Sequence, residues 1–171
     1  MIDWEGIMTR EGPAVWRTVW RLVSNRADAD ECFQETFVAA FQYARERAVE
    51  NWRALLLRMA TARAIDRLRQ RMTRQGRETP LGDAEVNRLV SIAPSPPSQA
   101  ESAELSANLR AALAEVPARQ AEVFCLFYLE GWSYPEIAQH LAISTDVVGV
   151  WLHRTRHRLR ELLGVKNEVS S

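Results

Sequence analysis

The stretch that most limits what this chain can fold into is "TPLGDAEVNRLVSIAPSPPSQAESA", residues 79–103. Pro94, Pro96 and Pro97 each lack an amide hydrogen, and with the serines around them they cannot continue a helix. Fully extended, a segment of this length spans roughly 80 Å. It therefore reads as a flexible linker, with one small unit on each side. The chain has 171 residues, of which 47% are hydrophobic, enough for two packed cores and too apolar for global disorder.

Both flanks carry helical periodicity. From Asp28 to Gln42, the residues Cys32, Phe33, Thr36, Phe37, Ala40 and Phe41 fall on one face. From Trp52 to Arg71 a second stripe runs through Leu55, Leu56, Met59, Ile65 and Leu68. An earlier helix is expected from about Pro13 to Ser24, with Val15, Trp16, Val19, Trp20 and Val23 on its apolar side. Strand-like alternation is absent, and the fold class expected is all-α.

Beyond the linker, Leu105, Leu109, Ala112, Leu113 and Val116 form a stripe that Pro117 stops. Val123, Phe124, Phe127 and Tyr128 form another, with Gly131 placed for a left-handed cap. Ser133-Tyr134-Pro135-Glu136 is a capping box with an early proline. It opens a short helix through Leu141, Ile143 turns the chain, and Ser144 caps the next helix, with Asp146 in its first turn. Short helix, tight turn and longer helix form the layout of a helix-turn-helix, expected to read DNA with its second helix.

The net charge is zero, but the charges are segregated. Arg58, Arg63, Arg67, Arg69, Arg71, Arg74 and Arg77 share their segment with one acid, Asp66. Arg154, Arg156, His157, Arg158 and Arg160 cluster near the C-terminus, whereas Asp28, Asp30, Glu31 and Glu35 form a purely acidic run. Each patch alone reads as a solvated face. Two basic patches on helices with aromatic neighbours point to nucleic acid. Trp52 reads either as core or as a platform for an unpaired base, worth roughly 1–3 kcal/mol per stack.

Cys32 and Cys125 are isolated and read as small core residues, without a zinc or disulfide pattern. His153 and His157 are four apart, but no third ligand completes a metal site, so no metal and no cofactor is expected. The chain lacks a glycine-rich phosphate loop, a nucleophile elbow and paired catalytic acids, which argues against an enzyme. No apolar run reaches the ~18 residues of a membrane span, and a cytoplasmic protein without membrane insertion is expected.

Three blocks together carry a family resemblance: "DADECFQETFVAAF" (28–41), "NWRALLLRMATARAIDRLRQR" (51–71) and "LAEVPARQAEVFCLFYLEGWSYPEIAQHLAISTDVV" (113–148). The chain resembles the bacterial RNA polymerase sigma factors of the sigma-70 family, extracytoplasmic-function group. The resemblance implies a transcription initiation factor that binds core RNA polymerase, directs it to promoter DNA and helps melt the minus-ten element. It implies a first domain over 1–78, a linker over 79–103 and a minus-thirty-five-reading domain over 104–171, with an anti-sigma factor as a further candidate partner.

Carried over position by position, the polymerase-binding surface comprises Asp28, Asp30, Glu31, Gln34 and Glu35. An acidic helix inside a DNA-binding chain then has a basic protein partner. The minus-ten set comprises Trp52, Arg53, Arg63, Arg67 and Arg71, with Ala62 where the family commonly has asparagine. The minus-thirty-five set comprises Ser144, Thr145, Val150, His153, Arg154, Arg156 and Arg158. Where relatives commonly carry a basic residue, Ser and Arg, this chain has Gly149, Val150 and Trp151. Gly149 offers only backbone, Val150 suits a thymine methyl, and Trp151 packs inward or faces a protein. A second domain with weak or altered base discrimination follows, unless it reads DNA shape instead. Two other readings stay open at this level: a stand-alone helix-turn-helix regulator, and a degenerate sigma-like interaction module.

Overall fold

The computed structural model describes residues 1–75 and 107–164; the expected linker, Leu105 and Arg77 lie outside them. Every regular element among the described residues is an α-helix. The first half holds α1 (Trp4–Val23), α2 (Arg26–Glu46) and α3 (Trp52–Gln75). The second holds α4 (Ala107–Glu115), α5 (Ala118–Tyr128), α6 (Tyr134–Leu141) and α7 (Thr145–Leu163).

The helix expected from Pro13 in fact begins at Trp4, with Pro13 in its interior. Proline suits a first helical turn. Here Asp3 supplies the start instead, its carboxylate accepting from the Gly6 amide at 2.9 Å. Asn25 caps α2 by accepting from Asp28 N, and Asn51 caps α3 by accepting from Ala54 N. In the second half the capping box is formed in both directions: Glu136 N donates to Ser133 Oγ and Ser133 N to Glu136 Oε2. Ser144 Oγ accepts from Val147 N at 3.1 Å. Between these helices Ala142 takes a left-handed conformation at φ 54°, and before them Gly131 does so at 71°.

The two halves dock on each other through α3. One buried cluster joins Val15, Val19, Leu22, Cys32, Leu56, Ala60 and Ile65 to Leu113, Val116, Cys125 and Leu159 of the second half. A second cluster joins Ala14, Ala54 and Leu57 to Val123, Leu126, Trp132, Ile137, Val148 and Leu152. The helix α3 thus packs on α1 and α2 with one face and on the second half with another. Polar contacts fasten the same interface. Thr18 Oγ1 donates to Glu130, Arg21 donates to the Leu129 carbonyl at 3.3 Å, and Arg69 donates to the carbonyls of Ala114 and Val116. Arg69 satisfies carbonyls that the end of α4 leaves without helical partners.

Glu122 lies buried on α5, 4.0 Å from Arg119 and near Arg58 of α3. Burial raises its pKa above the ordinary carboxylate value, outweighing the lowering by Arg119 and Arg58. A carboxyl whose folded pKa lies above its unfolded one stabilises the fold at low pH. That stability is lost as pH rises through the unfolded and then the folded value. Glu122→Gln is therefore expected to melt higher than the parent at neutral pH. The advantage should shrink as the pH falls towards about 4, which melting curves across that range would read directly.

Candidate nucleic-acid interface

The acidic and basic helices of the first half lie side by side. Asp28, Glu31 and Glu35 line one edge of α2, and Arg63, Arg67 and Arg71 line the facing edge of α3. Arg67 reaches Glu31 at 2.8 Å, Glu35 at 3.3 Å and Asp28 at 3.9 Å. Arg71 meets Asp28 at 3.9 Å and Arg63 meets Glu35 at 4.0 Å. The side chain of Arg67 is only 21% exposed. Charges that the sequence presents as two separate surfaces thus form one neutralised seam. The cause is simple: residues 28 to 43 positions apart in sequence face each other only once α2 and α3 pack antiparallel.

The other candidates divide. Asp30 pairs with Arg26 one turn back, and Gln34 is exposed. Between α2 and α3, Glu31, Gln34, Glu35, Val38, Ala39, Gln42 and Arg63 line a shallow groove of about 310 Å³. Arg53 pairs with Glu11, which is buried on α1 and also holds Arg10. Glu11 carried no sequence signal, because its partner lies forty-two positions on. Trp52 is half-buried and edge-on to Trp4 at 5.1 Å, while Trp4 also meets Phe41 at 5.2 Å. Both readings of Trp52 are partly met: it packs against the core and belongs to an aromatic group whose outer member, Phe41, is 47% exposed.

A cleft of about 660 Å³ opens where the halves meet. Its walls include Tyr43, Asn51, Arg53 and Arg58 on one side and Glu130, Trp132, Glu136 and His140 on the other. His140 lies against the Trp132 ring at 5.0 Å. Burial, then the nearby Arg58, lowers its pKa against the opposing pull of Glu136, which favours the neutral imidazole.

On α7 the buried face is Val148, Leu152, Thr155 and Leu159. Thr145, Val150, His153, Arg154 and Arg158 are exposed, as is the capping Ser144. Val150 is 46% exposed. Arg156 departs from the expected set: it is half-buried and donates to Tyr128 Oη at 3.0 Å. Arg158 leans on Glu161 at 3.3 Å. Trp151 is half-buried: it packs against the helix-turn-helix core, the inward of its two readings, and keeps part of the indole at the surface.

Gly149 is half-buried in the helix interior, and a Cβ placed there would meet Tyr134 Cε2 at 3.5 Å, ordinary contact. Gly149→Ala is therefore expected to stabilise the chain by about 1 kcal/mol. A rise in denaturant midpoint would register it, and an unchanged or lower midpoint would contradict it.

Residues 7–74 match the family model for sigma-70 region 2, and residues 106–159 match that for sigma-70, region 4. The chain is 28% identical over 163 residues to the ECF RNA polymerase sigma factor SigE of Mycolicibacterium smegmatis, covering 95% of this chain and 62% of that one. It thus spans under two thirds of that relative's length. It is 30% identical over 167 residues to the RNA polymerase sigma factor CnrH of Cupriavidus metallidurans, covering 95% and 87%. Its fold is similar to the sigma factor RpoE solved with the anti-sigma factor NepR from Bartonella quintana. There the TM-score is 0.57 at 22% identity, over 96% of this chain and 98% of that one. It is also similar to CnrH solved with the cytosolic domain of CnrY, at a TM-score of 0.55 and 23% identity. With both conserved regions matched in order and relatives aligned along nearly the whole chain, the protein belongs to the sigma-70 family, in its extracytoplasmic-function group.

Proposed function

We propose that this chain is a transcription initiation factor that binds core RNA polymerase and directs it to specific promoters. The observation that carries this reading is the pairing of a region 2 half with a helix-turn-helix half whose second helix presents Thr145, Val150, His153 and Arg154 outward. The acidic helix α2 docks on polymerase through Asp28, Asp30, Glu31, Gln34 and Glu35. The start of α3 and its edge along α2, with Trp52, Arg53, Arg63, Arg67 and Arg71, engages the minus-ten element and helps open it. Residues 1–78 and 104–171 act as the two DNA-engaging domains, with 79–103 between them.

In the second domain Ser144, Thr145, His153, Arg154 and Arg158 position the helix on phosphate, while Val150 adds an apolar contact in the groove. Arg156 is held by Tyr128 and contributes to this surface less directly. The protein acts as a specificity factor without a catalytic centre, in the cytoplasm with the polymerase. Among the described residues no helix is long and apolar enough to cross a membrane. An anti-sigma factor is a further partner, a reading supported by the complexes in which two similar sigma factors were solved.

Run-off transcription on fragmented genomic DNA, with core polymerase alone and with this protein added, tests the proposal. Protein-dependent transcripts sharing upstream elements are the expected result. Absence of polymerase binding would overturn it.

A further inference from the structure

The exposed face of α7 carries a row of residues one turn apart: Asp146, Val150, His153 and His157. The opposite face, with Val148, Leu152, Thr155 and Leu159, is buried. Asp146 therefore shares the surface that presents Val150 and His153, and an acid there needs a cause. A first-turn acid suits the helix dipole from any side of the helix, so the dipole does not explain this orientation.

No neighbouring cation answers the charge. The positions one turn before and after Asp146 are Ala142, Ile143, Gly149 and Val150. The ion pairs of α7 among the described residues, His157–Glu161 and Arg158–Glu161, lie at its other end. The packed helix α6 presents Tyr134 here, with its ring edge 3.5 Å from where a Cβ on Gly149 would stand. A carboxylate brought against a duplex by Arg154 and Arg158 is repelled by phosphate and by the acceptor atoms of the major groove. Only an amino group offers it a hydrogen there, N4 of cytosine or N6 of adenine. Adenine N7 lies beside N6 and repels the second carboxylate oxygen, whereas cytosine has only a C–H beside N4.

We propose that Asp146 is a specificity-determining residue, its carboxylate accepting from the N4 amino group of a cytosine in the element that α7 reads. The inference rests on reading α7 as the minus-thirty-five helix. Val150, one turn further along the same face, suits a neighbouring thymine methyl.

The test uses core polymerase and a promoter found by run-off transcription. Its upstream element is randomised, and each template carries a barcode in the transcribed region. The pool is transcribed with the parent chain or with Asp146→Asn. The parent is expected to favour cytosine at one position by about ten-fold, and in the variant that preference should fall below about two-fold. Preferences at the other positions should not change. Loss of one negative charge strengthens binding to every template alike and cancels in these ratios. A purely structural role at the helix start would also move all templates together. A cytosine preference that persists in the variant, or a loss spread evenly over all positions, would overturn the assignment.

A synthetic template with N4-methylcytosine at the preferred position adds a chemical readout. Base pairing keeps one N4 hydrogen, so the methyl group replaces the one that faces the groove. Transcription with the parent should fall about ten-fold on this template, and transcription with Asp146→Asn should not change. Equal effects on the two chains would overturn the assignment. Absence of any parent-dependent transcript would sink the proposed function and this assignment with it. Transcripts without a cytosine preference would sink the assignment alone.

Discussion

Leu57→Asp is expected to part the two halves of the molecule while leaving the first half folded. Leu57 is 3% exposed and lies in the cluster that α3 shares with Val123, Leu126 and Trp132 of the second half. A carboxylate there replaces a buried apolar side chain and loses most of its water, at a cost of about 4 kcal/mol. Separation relieves that cost, because it returns the carboxylate to solvent. The neighbouring Leu56 belongs to the cluster that holds α1, α2 and α3 together, so Leu56→Asp is expected to unfold the first half instead. Small-angle scattering with circular dichroism distinguishes the two. Leu57→Asp should keep most of its helical signal and expand beyond the ~16 Å radius of gyration of a compact chain this long. Unchanged dimensions would mean that the first cluster and the polar contacts suffice to keep the halves docked.

Trp151→Arg is expected to weaken the helix-turn-helix rather than re-aim it. In the structure Trp151 packs against the cluster of Val148, Leu152 and Ile137, on the flank of α7 rather than beside Val150 and His153. Loss of a half-buried indole, partly offset by the arginine stem, costs about 2 kcal/mol. The melting midpoint should fall, and affinity should fall by a similar factor for every DNA site tested. A gain of affinity for one site over others would show that position 151 reaches base edges.

The all-helical class and the helix-turn-helix were legible because they rest on local signals. The capping box at Ser133, the cap at Ser144 and the glycine at 131 are read within four residues of where they act. The start of α1 was missed for a local reason as well: Asp3 outcompetes Pro13 as a start signal, and a proline inside a twenty-residue helix removes only one hydrogen bond. The seam, the Glu11–Arg53 pair and the Tyr128–Arg156 bond were illegible, because each joins residues far apart in the chain. A charge run says where charge is, but only packing says what it meets. The proline-rich segment suggested separated units; it could not reveal that Ala54 and Leu57 sit on a face of α3 that needs the second half to cover it.

That face has a consequence during synthesis. Ala14, Ala54 and Leu57 leave the ribosome well before Val123, Leu126 and Trp132, which cover them. At roughly 5–20 residues per second, the residues between Leu57 and Leu152 take about 5–20 s to translate. For that interval a folded first half displays an apolar stripe to its surroundings. Newborn chains on one messenger then carry a window for mutual association that closes only when the helix-turn-helix arrives.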